Sequence, residues 1–216
     1  MATPGPPHPS PTMPKPAQLS RRTIPDEVLD HFAKTSPWAH KILTDPTHIP
    51  VAPPYAHFSP SDPDHCLIFR QTLSTPETIP FFEPVYVPPK PNVSPLDASP
   101  VARLVASPYG QVLTIIQLGP GINGYPGHAH GGFLGVLFDE LCATAAACER
   151  RGLSYTANMN VEFRKRVRTD EVLLGRAWVE REEGRKCWVR SRLEEQNGVV
   201  LAECTTVWVD VPTGKL

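Results

Sequence analysis

The chain has 216 residues, with 21 basic and 22 acidic side chains and a formal net charge of -1. This length predicts one domain with extensions, or at most two small domains. The near-neutral balance argues against a nucleic-acid-binding protein, which would carry a basic excess.

Proline divides the chain into two unlike parts, since 23 of the 27 prolines lie in the first 100 residues. Residues 1–24 are predicted to be a disordered, polyproline-like tail, because proline lacks an amide donor and the segment has little to bury. Residues 25–100 are predicted to form an N-terminal extension of short helices and irregular segments. Residues 101–212 are predicted to form the main domain.

Within the extension, apolar residues recur at spacings of three and four from Asp26 to Leu43, which predicts a helix that Pro37 divides into two. Residues 65–73 are predicted to form a strand. The proline-rich stretches 46–63 and 76–100 are predicted to be irregular connections.

The sequence becomes regular after residue 100. Strands are predicted at 101–106, 111–118, 155–166, 171–182, 186–195 and 199–210, with one long helix at 131–150. Asn197-Gly198 is a strong hairpin signal between the last two strands.

Strand 155–166 alternates clearly between apolar and polar residues. Ala157, Met159, Val161 and Phe163, followed by Val167, are predicted to face the core, and the polar face carries Thr156, Asn158 and Asn160. Helix 131–150 is the one long apolar helix that could cover such a sheet. The predicted fold is therefore α+β, with a curved antiparallel sheet of five to six strands around one central helix.

Two acids, Asp139 and Glu140, lie in the middle of this apolar helix. Adjacent helical residues point about 100° apart, so one acid can reach solvent while the other faces something internal. His130-Gly131-Gly132 begins the helix, and its free amides could hold a thioester carbonyl as charge develops on the oxygen. Solvated acids and a tight turn are the plainer interpretation of the same residues.

The run H-G-G-F-L-G-V-L-F-D (His130–Asp139) and the strand T-A-N-M-N-V-E-F-R-K-R (Thr156–Arg166) together resemble the PaaI/THEM4-like branch of hotdog-fold thioesterases. The resemblance covers about residues 101–210. The proline-rich N-terminal part is similar to that of fungal members. One departure is Val167, which follows the basic residues where the family usually has proline.

The resemblance implies the roles of several residues. Asp139 matches the catalytic carboxylate, as nucleophile or as general base, and Gly131 or Gly132 matches the amide that polarises the carbonyl. Thr156 matches a threonine that positions water, and His130 shapes the site. The family further implies a homodimer, or a dimer of dimers, with the active site between two subunits.

The substrate implied is an acyl thioester, with acyl-coenzyme A as the first candidate and an acyl-carrier protein as the second. Arg164, Lys165 and Arg166 could bind phosphates, although a solvated strand end explains them equally well. Asn158, Asn160, His130 and His128 are the further candidates for substrate binding, and for His128 an exposed loop histidine is the preferred interpretation.

Alternatives to hydrolysis are a hotdog dehydratase, a carrier-linked polyketide tailoring enzyme, and a non-catalytic acyl-binding or scaffold protein. No cofactor, metal site, nucleic-acid partner or membrane span is predicted, because no metal-ligand spacing or long apolar run was identified. The five cysteines are expected to be reduced and buried. The predicted location is the cytoplasm. Lys15, Arg21 and Arg22, with no acid before Asp26, leave the mitochondrion as the alternative.

Overall fold

The computed structural model describes residues 21–56, 66–89, 108–150 and 153–211. Within these ranges the chain forms a seven-stranded antiparallel sheet, a separate two-stranded hairpin and three α-helices. The α+β prediction of an antiparallel sheet around a central helix is confirmed, with seven strands in place of five or six. The predicted strand at 101–106 lies outside the described residues.

The helices are α1 (Asp26–Thr35), α2 (Pro37–Leu43) and α3 (Gly131–Glu149). The strands of the large sheet are β1 (Ile49–Pro50), β2 (Phe81–Val87), β3 (Gln111–Gln117), β6 (Ser154–Phe163), β7 (Val172–Glu183), β8 (Lys186–Glu194) and β9 (Val200–Asp210). Their order is β1-β2-β3-β7-β8-β9-β6. The hairpin joins β4 (Asn123–Tyr125) to β5 (His128–Ala129).

Helix α3 is the core of the molecule. Ten of its 19 residues are buried, and they pack on inward-facing side chains of the sheet. The helix is long and apolar enough to cross a membrane by length and composition alone, so the prediction that the chain has no apolar run of that length is wrong. Its burial inside the sheet accounts for that apolarity, since a helix that is hydrophobic all round is a buried one.

Gly175 on β7 allows α3 to approach the sheet closely. A Cβ atom at this position would lie 2.7 Å from Cδ2 of Leu141 and 3.0 Å from Cδ1 of Ile116. A larger residue would therefore require the ends of the Leu141 and Ile116 side chains to shift at the centre of the core.

The N-terminal helices cover part of the outer face of the sheet and form a second, smaller core there. Phe32 is fully buried in this core, and its ring centroid lies 5.1 Å from that of Phe81 on β2. The break at Pro37 is as predicted. Both helices rest on the outward-facing residues of β2, β3 and β7, which are Val85, Leu113, Ile115 and Leu174.

The extension is more ordered than its composition predicts. The predicted strand at 65–73 is instead a π-helical segment, Ile68–Leu73. The stretch predicted to be irregular contains β2, so the large sheet begins before residue 101. Proline is tolerated in β2 because the Pro84 carbonyl accepts from the Val51 amide. The missing amide of Pro84 therefore points toward the short β1 and away from β3.

The predicted tail also ends earlier than residue 24. Arg21 pairs with Val51 as an isolated bridge, and Arg22 forms an ion pair with Glu83. Ile24 is buried in the outer core. Residues 1–20 lie outside the described residues, so the prediction for them stays untested.

Replacing Phe32 with alanine should lower the free energy of unfolding by about 3–5 kcal/mol, because a fully buried phenyl ring leaves a cavity. Urea denaturation followed by circular dichroism measures the change. Glu27→Ala, an exposed position on the same helix, should change it by less than about 0.5 kcal/mol. Equal effects of the two variants would show that α1 does not pack on the sheet.

Candidate active site

The His130-Gly131-Gly132 sequence forms the N-terminus of α3. His130 is the capping residue, and its Nδ1 atom accepts a hydrogen bond from the Gly132 amide at 3.0 Å. The His130 amide donates to the carbonyl of Ile122 at 2.9 Å. Gly131, in contrast, is exposed, and its amide has no partner among the described residues. Of the two glycines that the sequence singled out, Gly131 is the one with a free donor.

Asp139 lies half-buried two turns further along the helix. The Thr156 hydroxyl donates a hydrogen bond to Asp139 Oδ1 at 2.7 Å. This contact joins two residues that are 17 positions apart and were both predicted to belong to the site. It holds one carboxylate oxygen in place and leaves the other available.

A β-bulge between Thr156 and Asn158 places the Thr156 side chain on the same face of the sheet as Asp139. Thr156 is paired with Trp208 and Asn158 with Val207, so the two residues lie on opposite faces of the sheet. The alternation predicted across the whole strand is therefore wrong at Ala157. Asn158 and Asn160 lie on the outward face, away from Asp139, and Asn160 is paired with Thr205.

The predicted buried face of this strand is only partly buried. Met159 and Val161 pack against the inner core. Phe163 is 56% exposed, and Ala157 is exposed as well. The physical reason is that β6 is the edge strand of the sheet, and among the described residues it pairs with β9 alone. One chain does not cover its inner side completely.

The three predicted basic residues lie in two different environments. Arg164 points outward and forms ion pairs with Glu162 and with Glu203, the latter at 3.4 Å. Lys165 and Arg166 have no ion pair among the described residues, and both line a cavity beside the start of α3.

This cavity has a volume of about 430 Å³. Its apolar walls are Ala129, Leu134, Phe163 and Val167, and its other lining residues are Tyr125, His128, Gly131, Lys165 and Arg166. The cavity therefore combines an apolar interior with two cations and a helix N-terminus, the features expected of a site for a long anionic ligand. Asp139 is not among the lining residues.

His128 and Tyr125 both belong to the hairpin beside the cavity and line it. His128 lines it, although its Nδ1 atom is already 2.9 Å from the carbonyl oxygen of Pro126. Tyr125 was not singled out, and it is 80% exposed. Only its position on the β4–β5 hairpin brings it to the cavity, and a local pattern does not encode that position.

Glu140 is the acid that faces inward, as the 100° offset between neighbouring residues predicted. It is 6% exposed. Burial raises the pKa of its carboxyl to about 8, the nearby Asp139 charge adds to the increase, and a hydrogen bond from the Tyr55 amide opposes it. Glu140 is thus largely protonated at neutral pH.

Four of the five cysteines are buried and all five are free. The exception to the predicted burial is Cys66, which is half-buried. Among the described residues, no group of three or more His, Cys, Asp or Glu side chains could hold a metal ion.

Comparison with known proteins agrees with this arrangement. A profile of the family described as "Thioesterase superfamily" matches residues 126–202. This stretch contains the start of α3, Asp139 and Thr156. The chain is 26% identical over 106 residues to acyl-coenzyme A thioesterase THEM4 of Mus musculus, which is 49% of this chain and 45% of the mouse protein.

Two further proteins are similar to this chain over slightly less than half of its length. MIOREX complex component 3 of Saccharomyces cerevisiae is 30% identical over 90 residues, which is 40% of this chain and 33% of the yeast protein. A hypothetical thioesterase from Streptococcus pneumoniae, solved with coenzyme A, is 21% identical and has a TM-score of 0.42 over 46% of this chain and 79% of that chain.

The chain thus spans less than half the length of these two curated relatives. The matched region is nevertheless the one that carries the helix, the carboxylate and the threonine. Residues 126–202 thus resemble the thioesterase superfamily, and the antiparallel sheet around a central helix agrees with the hotdog fold that the sequence resemblance implied.

Proposed function

We propose that this protein hydrolyses acyl thioesters, with acyl-coenzyme A as substrate, Asp139 as the catalytic carboxylate and the Gly131 amide as the donor to the carbonyl oxygen. The observation that carries the proposal is the 2.7 Å hydrogen bond from Thr156 to Asp139. It orients a half-exposed carboxylate on an otherwise buried helix. Mouse THEM4, by its name an acyl-coenzyme A thioesterase, supports the choice of substrate.

The chemistry requires a nucleophile and stabilisation of the oxygen anion. As general base, Asp139 takes a proton from water, the water oxygen bonds to the carbonyl carbon, and the carbon–sulfur bond breaks to release the thiolate, which takes up a proton. As nucleophile, Asp139 bonds to the carbonyl carbon, the carbon–sulfur bond breaks to release the thiolate, which takes up a proton, and water then hydrolyses the resulting mixed anhydride to the free acid and Asp139. In both routes the charge on the carbonyl oxygen develops beside the Gly131 amide and the positive end of α3.

One chain cannot supply both groups to a single thioester. Gly131 and Asp139 are eight residues apart, which corresponds to about 12 Å along the helix axis. A carbonyl bonded to the Gly131 amide would therefore be out of reach of the Asp139 of the same chain. The proposed site combines the Gly131 amide of one subunit with Asp139 of a second copy.

The outer edge of β6, which has no strand partner among the residues that the structure describes, supports this homodimer. An exposed edge strand presents free amides and carbonyls to another strand. Phe163 on the inner face and Tyr155 on the outer face, each more than half exposed, add apolar surface on both sides of that edge. Association of two copies would bury this surface and bring the two α3 helices together.

The substrate is expected to enter the cavity at the start of α3. Its apolar walls suit a pantetheine arm or acyl chain, and Lys165 and Arg166 suit the phosphates of coenzyme A. The phosphopantetheine of a carrier protein has one such phosphate and is the alternative. The cytoplasm stays the predicted location, with the mitochondrion as the alternative.

Replacing Asp139 with asparagine should lower kcat by about a hundredfold or more, the loss typical of a missing acid–base group. The measurement is the release of free thiol from short, long and aromatic acyl-coenzyme A substrates. Glu162→Gln is the matched control, because Glu162 is an exposed acid of β6 on the opposite face. A folded Asp139→Asn variant with native activity would exclude Asp139 as the catalytic group.

Replacing Gly131 with alanine should leave the fold intact and lower kcat/KM on the order of a hundredfold, because a methyl group in the cavity displaces the carbonyl. The added Cβ atom would meet only Phe163, at 3.6 Å, which is ordinary contact. Thermal unfolding should therefore be unchanged or slightly raised while turnover falls. Equal activity of variant and native protein would rule out the Gly131 amide as the donor.

Replacing both Lys165 and Arg166 with alanine should raise KM for acyl-coenzyme A about tenfold with little change in kcat, through loss of exposed phosphate contacts. Arg164→Ala provides the control, since Arg164 belongs to the same basic run and is paired with acids on the other face. If acyl-pantetheine, which lacks the nucleotide phosphates, shows the same increase in KM, the two cations do not bind phosphate.

A further inference from the structure

Part of the N-terminal extension lies against α3 close to Asp139. This strap consists of residues 54–56 and 66–73. Its Tyr55 ring stacks on Phe69 with 5.2 Å between centroids, and both rings contact Phe82 of β2. Phe69 and Leu73 are buried in the inner core. The strap is therefore packed on the same helix that carries the proposed catalytic carboxylate.

Glu140 connects the helix to the strap. The Tyr55 amide donates a hydrogen bond to the Glu140 carboxyl group. The Oε1 atom of Glu140 is buried and has no hydrogen-bond partner within the described part of the chain. A buried polar atom without a partner is unfavourable, and it is far more unfavourable on a charged carboxylate than on a neutral acid.

We propose that Glu140 is a positioning residue, which holds the strap against α3 beside Asp139 as long as its carboxyl group is neutral. The inference goes beyond the proposed thioesterase function and depends on it only for the activity measurement. It rests on the burial of Glu140, its contact with the Tyr55 amide, the unpaired oxygen and the adjacency to Asp139.

Asp139 is the neighbouring charge that raises the pKa of Glu140. From the strap, the titratable groups beside Glu140 are Tyr55 and Cys66, and the Arg70 cation lies close enough to oppose the rise in the pKa of Cys66. Burial raises the pKa of the Tyr55 hydroxyl and of the Cys66 thiol, and the charge of Glu140 is the second cause for both. Both groups are accordingly neutral at pH 8. Ionised Glu140 would place a second, buried negative charge next to Asp139.

The sign of the pH effect follows from the two states. With the strap closed, the pKa of Glu140 is about 8. With the strap open and Glu140 solvated, its pKa returns to the ordinary value of 4.5. The open state therefore releases its proton first as pH rises. The free energy of closure is most favourable below pH 4.5 and becomes less favourable between pH 4.5 and 8. Above pH 8, where Glu140 is ionised in both states, it no longer changes with pH through this group.

Hydrogen exchange of the strap amides tests the inference. Protection factors, which correct for the intrinsic increase of exchange with pH, should fall for Tyr55 and for residues 68–73 between pH 5 and 8. A single linked proton limits the decrease to about tenfold per pH unit. Glu140→Gln, which mimics the neutral acid, should keep full protection at every pH.

Two further variants separate Glu140 from its neighbours. Asp139→Asn removes the nearby charge, so the decrease in protection should level off at a lower pH. Glu149→Gln changes another largely buried glutamate of α3, which accepts from the Tyr86 hydroxyl and the Gly110 amide. In the Glu149→Gln variant, the protection of the strap amides should depend on pH as it does in the native protein.

The inference is overturned if Glu140→Gln loses protection at the same pH as the native protein, or if its strap is already unprotected at pH 6. If the decrease in protection levels off at the same pH in Asp139→Asn as in the native protein, the ionisation of Glu140 does not depend on the charge of Asp139. In the activity measurement, native kcat should fall relative to that of Glu140→Gln as pH rises from 6 to 8. A protein that hydrolyses no thioester can still pass or fail the exchange test, so the two hypotheses fail separately.

Discussion

The burial of α3 inside the curved sheet is the constraint on which the rest of the structure depends. A helix so enclosed has little access to water for its polar side chains, and three of them are bonded to other elements. Asp139 is bonded to Thr156 of β6, Cys142 to Ser191 of β8 at 3.2 Å, and Glu149 to Tyr86 of β2. These contacts fix the rotation and the height of the helix within the sheet. The position of the candidate catalytic carboxylate is therefore set by the fold as a whole.

Much of this arrangement could be predicted from local sequence. Helix α3 and the four strands after it were predicted to within three residues at each end, because apolar periodicity and turn residues such as Asn197-Gly198 are local signals. The proximity of Asp139 and Thr156 was implied by family resemblance, since residues 17 positions apart show no local pattern. Helix geometry alone predicted that one of the two acids faces inward, and the structure identifies it as Glu140.

The remaining features depend on partners that a local pattern does not contain. The bulge at Ala157 is set by pairing with β9, and it moves Asn158 and Asn160 away from the site. Strand β2 was missed because of Pro84, although the absent amide of that residue points toward the short β1. The strap was missed because its helical segment is stabilised by Phe82 and by the helix it covers, and local propensity has little part in it.

Helices α1 and α2 have a consequence for larger assemblies. They occupy the outer face of the sheet over β2, β3 and β7 and bury Leu113, Ile115 and Leu174 within the chain itself. A sheet face that is already covered offers no flat surface to a second sheet. If two dimers associate back to back, the contact must be made through β8 and β9. The outward residues there include Trp188 and Arg190, and Arg181 stacks on the Trp188 ring at 3.6 Å. In any such association, the N-terminal helices would keep β2, β3 and β7 out of the contact.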